Sequence, residues 1–101
     1  MKIYISGKIT GLKPEQFMPV FEKAESLLRE AGYTNIVNPT KLGIHTGEDW
    51  SRAMAICMPE LETCDAIYML DNWRESFGAR HELHRAMHRR IRIMFGPEDI
   101  N

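Results

Sequence analysis

The stretch 76–86, SFGARHELHRA, sets Glu82 one helical turn after Gly78-Ala79, flanked by Arg80, His81, His84 and Arg85. A carboxylate in that setting is either one more solvated charge or a group held in place to react. On a helical wheel Ala79, Leu83, Ala86 and Met87 form the buried stripe, and Glu82 falls on its border. Its place near a helix start favours the ionised form through the helix dipole. The helix also carries His81, His84 and His88 at i, i+3 and i+7. HELH is not HExxH, and the first and last of these histidines stand about two turns, roughly 10 Å, apart. A wet basic face is the better reading, and no metal site is expected.

Three further segments could meet a ligand. SGKITG (6–11: Ser6, Gly7, Lys8, Ile9, Thr10, Gly11) follows an apolar run, and its glycines would let backbone N–H groups approach a phosphate closely. Its spacing is neither a Walker A loop nor GxGxxG, and a plain strand-to-loop turn also explains it. Asn38-Pro39 closes a second apolar run. DNWRESFG (71–78) follows a third, with Asp71 able to accept from sugar hydroxyls and Trp73 able to stack on a base or simply to pack. Asp65, just before that run, reads as a turn cap or a strand start.

The elements that would position these groups follow from the pattern. KIYIS (2–6), TNIVNP (34–39), DAIYML (65–70) and RIRIMF (90–95) are short and rich in β-branched or aromatic residues, and read as strands. Pro19 is expected as the first residue of a helix, because it disfavours helical angles at Met18. That helix carries Val20, Phe21, Ala24, Leu27, Leu28 and Ala31 on one face and stops at Gly32. DWSRAMAICM (49–58) reads as a second helix capped by Asp49, with Pro59 kinking it or opening a further short turn. Residues 79–90 read as the third, and 71–78 as a polar loop. The order β-α-β-α-β-α-β predicts a three-layer α/β fold, flavodoxin- or Rossmann-like. Its parallel sheet should hold about four to five strands in the order 2-1-3-4, with ligands at the carboxyl ends of the strands.

The whole chain has 101 residues, enough for one domain, 1–101. A net charge of −1 supplies no global field for nucleic acid or anionic membrane, although residues 80–92 carry five arginines and three histidines against Glu82 alone. Contact of that helix with nucleic acid is the weaker reading beside a solvated or dimer surface. Cys57 and Cys64, with no CxxC, fit a reducing cytosol, and MKIYISG is too short an apolar run for a leader or a membrane span. A cytoplasmic protein is expected, stabilised by homodimer or higher homo-oligomer formation because so small a domain buries little surface.

The segments IYISGKITG, NP, W…M…M…L…CDAIYML and W…S.GA..E together resemble a small phage and bacterial domain-of-unknown-function group related to nucleoside 2-deoxyribosyltransferases. The resemblance covers roughly residues 2–95. Tyr4, Gly7, Ile9 and Gly11, with Ser76, Gly78 and Glu82, look most like the 2'-deoxynucleoside 5'-monophosphate N-glycosidases. It implies Glu82 as a nucleophile toward C1' of a (deoxy)nucleoside or its 5'-monophosphate, Tyr4 as the residue that helps hold it, and Ser76 with the Gly7–Gly11 backbone as the phosphate site. It implies no cofactor. One departure stands out: Met54 and Cys57 occupy positions in the second helix where active relatives carry an acid, and Asp49 or Asp71 could stand in for it. A nucleotide-binding or sensing module without turnover is the alternative.

Overall fold

The structure, a computed structural model, describes residues 1–42 and 50–100, the side chains of Trp50 and Ser51 excepted. The expected cap at Asp49 and most of the loop before it lie outside the described residues. Four strands form one parallel sheet: β1 (Lys2–Ser6), β2 (Asn35–Val37), β3 (Ala66–Met69) and β4 (Arg92–Met94), in the order β2-β1-β3-β4. Three helices connect them, α1 (Pro14–Glu30), α2 (Trp50–Glu62) and α3 (Phe77–His88). The three-layer α/β fold with order 2-1-3-4 is therefore as the pattern predicts.

Alternation along the central strands assigns the layers. Ile3 and Ile5 of β1 face the same way as Ala66 and Tyr68 of β3 and pack under Phe17, Phe21, Ala24 and Leu28 of α1. Tyr4 of β1 faces the other way with Ile67 and Met69, against Cys57 and Leu61 of α2 and Leu83 and Ala86 of α3. The register sets Tyr4 beside Ile67 and Ser6 beside Met69.

Several boundaries differ from the sequence expectation, each for a local reason. Helix α1 starts at Pro14, not Pro19. Pro14 supplies the fixed φ of a first helical residue, and Gln16 Oε1 accepts from the Lys13 backbone N–H at 2.8 Å. The extra turn brings Phe17 into the core, and burial of a phenylalanine, worth about 1.5–3 kcal/mol, offsets the similar cost of keeping Pro19 inside the helix. The buried stripe correspondingly starts at Phe17, and Val20 and Ala31 are exposed. Helix α2 runs through Pro59 without a break, ending past the fully buried Leu61. Residues 71–75 form a 3-10 turn, not an irregular loop, and α3 begins at Phe77, not residue 79. It ends at His88, with Arg90 in the left-handed region (φ 57°) leading into a strand of only three residues. Met87, expected in the buried stripe, is 59% exposed.

Candidate active site

Glu82 is buried, with 4% of its surface exposed. It belongs to the buried face of α3 with Ala79, Leu83 and Ala86, and is turned toward β1. The two residues that meet it come from that strand: the Tyr4 hydroxyl donates to Glu82 Oε2 at 2.5 Å, and the Ser6 hydroxyl donates to Oε1 at 2.7 Å. Both donors are fully buried. They stand at i and i+2 of one strand, so the pleat points both to the α3 side.

Removal from water pushes the Glu82 carboxyl up to about 7, and the Tyr4 and Ser6 hydrogen bonds oppose that rise. Tyr4 is held well above its ordinary value, first by burial and then by the neighbouring Glu82 charge. The Cys57 thiol of α2 lies against the Tyr4 hydroxyl, and burial pushes it up to about 12, so it stays protonated. The site is thus a buried carboxyl, raised by desolvation, in a wall of hydroxyl and thiol groups.

The carboxyl end of the sheet is stitched together just beyond this group. Gly7 crosses so close to Leu70 that a Cβ on it would meet Leu70 Cδ1 at 2.5 Å. The Leu70 N–H donates to Ser6 O at 2.8 Å, and the Lys8 N–H donates to Asn72 Oδ1 at 3.1 Å. Gly7 is therefore required first by packing, whereas Gly11 is the glycine whose backbone (φ 87°) is left-handed. Ser76 is the N-cap of α3, its Oγ accepting from the Ala79 N–H at 3.1 Å. Its hydroxyl proton remains to be donated elsewhere. Gly78 lies in the first turn of that helix.

A match to a known family runs across residues 1–95, through all four strands and three helices. The chain belongs to this family, described as a domain of unknown function, DUF4406. Searches of curated proteins and of solved structures gave no match.

In this DUF4406 chain the other sequence-derived candidates divide. Asn38 is buried, and its side chain is committed inside the fold: Nδ2 donates to Glu25 Oε1 at 3.1 Å, and Oδ1 accepts from Thr40 N and Thr40 Oγ at 3.0 and 2.6 Å. Glu25, also contacted by Arg29 and Lys41, has its carboxyl held below the usual range by those partners despite its burial. Asn38 thus fastens the turn after β2 to α1. Trp73 packs its ring 5.8 Å from that of Phe95, with the Arg74 guanidinium 5.0 Å from its centroid. Asp71 lines a crevice of about 340 Å³ on the α1 side, with Lys23, Tyr68 and Asn72. Asp65 sits at the opposite end of the sheet, accepting from the Lys2 N–H at 2.8 Å. His81, His84 and His88 line a groove of about 890 Å³ between α2 and α3, with Phe77, Arg80 and Arg85, the last paired to Glu62.

Sequence reasoning assigned Ser6 to the phosphate loop and missed its bond to Glu82. The alternation that pairs it with Tyr4 on one face was the available signal. The contact of Cys57 with Tyr4 needed the packing of α2 and has no signal in the sequence.

Proposed function

We propose that this protein cleaves or exchanges the N-glycosidic bond of a (deoxy)nucleoside or its 5'-monophosphate, with Glu82 as the nucleophile. The observation that carries the reading is the buried carboxylate at the carboxyl end of a parallel sheet, held by two hydroxyls of β1. A structural role alone would be served by an apolar side chain at lower desolvation cost.

In the proposed reaction the ionised Glu82 attacks C1', the C1'–N bond breaks, and the base leaves with the bonding pair and takes up a proton from solvent. Water, or a second base, then attacks C1' and loses a proton to solvent, the ester C1'–O bond breaks, and Glu82 leaves as the carboxylate, with net retention. Tyr4 donates to the carboxylate and keeps one oxygen directed. The Ser76 hydroxyl proton, the start of α3 and amides of the Gly7–Gly11 loop suit the 5'-phosphate, and a serine there avoids the repulsion an aspartate would bring. Trp73, in the turn that follows β3, is the candidate to cover a base. The family resemblance of Tyr4, Gly7, Gly11, Ser76 and Glu82 supports the same assignment. The test is release of free base from deoxynucleoside monophosphates, followed by chromatography, in wild type and Glu82→Gln. Equal rates in the two proteins would remove Glu82 from the reaction.

One observation favours a second reading, a nucleotide-binding module without turnover. Met54 and Cys57 stand in α2 where the resemblance implies an acid, and Cys57 is a protonated thiol packed on Tyr4. Thermal stabilisation by nucleotides with no base released after long incubation would select that reading.

A further inference from the structure

We propose that Ser6 is a positioning residue for Glu82, holding the carboxylate by its second oxygen and so fixing its rotation, rather than a ligand for substrate phosphate. The inference deepens the glycosidase reading but has its own test. A carboxylate bound at one oxygen can still pivot about the bond to its chain. Bound at both, with one hydroxyl on each oxygen, it is left with a single orientation and one set of lone pairs toward an incoming carbon. The two bonds at 2.5 and 2.7 Å make that two-point hold.

Ser6 is itself rigid. It is fully buried on the central strand, paired beside Met69 of β3, with its carbonyl taken by the Leu70 N–H. The next residue, Gly7, is wedged against Leu70. The Ser6 hydroxyl therefore reaches Glu82 from a frame that does not yield, and the short side chain lacks the torsional freedom of a longer donor. The groups that act on the carboxylate, among the described residues, are Tyr4 and Ser6 of β1, with Cys57 of α2 behind Tyr4.

The experiment is a direct titration of Glu82, by carboxyl-carbon NMR of glutamate-labelled protein, in wild type, Ser6→Ala, Ser6→Thr and Tyr4→Phe, with Glu82→Gln to assign the resonance. Ser6→Ala should move the midpoint upward by about one pH unit, since a hydrogen bond to the ionised form is lost. Ser6→Thr, which keeps the hydroxyl, should restore it to within about 0.3 unit. A midpoint unmoved in folded Ser6→Ala, or moved equally in Ser6→Thr, overturns the proposal. Should Ser6→Ala fail to fold, Ser6→Cys, with a weak donor of similar size, reads the same shift. The titration needs no turnover. A shifted midpoint in a protein that releases no base keeps the role of Ser6 and discards the glycosidase reading, whereas base release with an unmoved midpoint does the reverse. Where base is released, Ser6→Ala should lower kcat about tenfold near pH 6.5 with KM changed less than about twofold, the split expected of a residue that acts through Glu82. A rise in KM with kcat intact would show contact with substrate and overturn it.

Discussion

The Tyr4 hydroxyl and the Glu82 carboxylate, 78 positions apart in the chain, meet in a 2.5 Å hydrogen bond beneath helix α3. With Ser6 on the other oxygen, that contact joins the first strand to the last helix at the end of the sheet where ligands of this fold class sit. Burial raises the carboxyl, and the hydroxyls limit the rise.

Glu82→Gln is expected to lower base release by on the order of 10³-fold or more, since an amide cannot form the glycosyl ester. Nucleotide binding, read by thermal shift or calorimetry, should persist, because the amide fills the same volume.

The raised Glu82 carboxyl also predicts a pH dependence of stability. Its value is about 7 in the folded protein against 4.5 for the free side chain. Between these pH values the folded state holds more protons than the unfolded one, so stability falls as pH rises from about 4.5 and levels off above about 7. The full effect is roughly 3 kcal/mol. Denaturant unfolding from pH 4.5 to 8 should show this slope in wild type and lose it in Glu82→Gln. Glu25 acts with the opposite sign: its depressed carboxyl contributes stability above about pH 4.5 that is lost on further acidification. The two are separable by window.

Tyr4→Phe removes one donor and leaves a buried carboxylate oxygen unsatisfied. The expected loss is about 1–3 kcal/mol at pH 8, where Glu82 is ionised, and less at pH 5, where it is protonated. Urea unfolding at the two pH values checks the difference.

Gly7→Ala drives a methyl into Leu70, with contacts at 2.5 to 3.0 Å. Since Leu70 is buried and its N–H is bonded to Ser6 O, the cost is about 1–3 kcal/mol. Gly7→Ala combined with Leu70→Ala should be less destabilising than the sum of the two single changes, measured by thermal unfolding.

Asn38→Ala should lower stability by about 1–3 kcal/mol, because buried Glu25 and the Thr40 amide lose a partner. If Asn38 serves only the fold, KM in the base-release assay stays within about twofold of wild type.

The strand and helix types, their order and the parallel α/β class were legible in the chain because they rest on short-range patterns. Apolar β-branched runs, helical spacing in residues 20–31 and right-handed crossovers need no knowledge of partners. The same patterns put Tyr4 and Ser6 on one face of β1 and brought Glu82 to the edge of a helix stripe. Where α1 and α3 begin was read wrongly, at Pro19 and Ala79, although local signals for the true starts stand in the chain: Pro14 with Gln16 for α1, and Ser76, whose Oγ accepts from the Ala79 N–H, for α3. Burial of Phe17 adds to the first. Only the tertiary structure decided that α3 packs across β1, that Ser6 spends its hydroxyl on Glu82, and that Asn38 spends its amide on Glu25. Desolvation and long-range hydrogen bonds belong to the packed arrangement of distant segments, and no single segment carries them by itself.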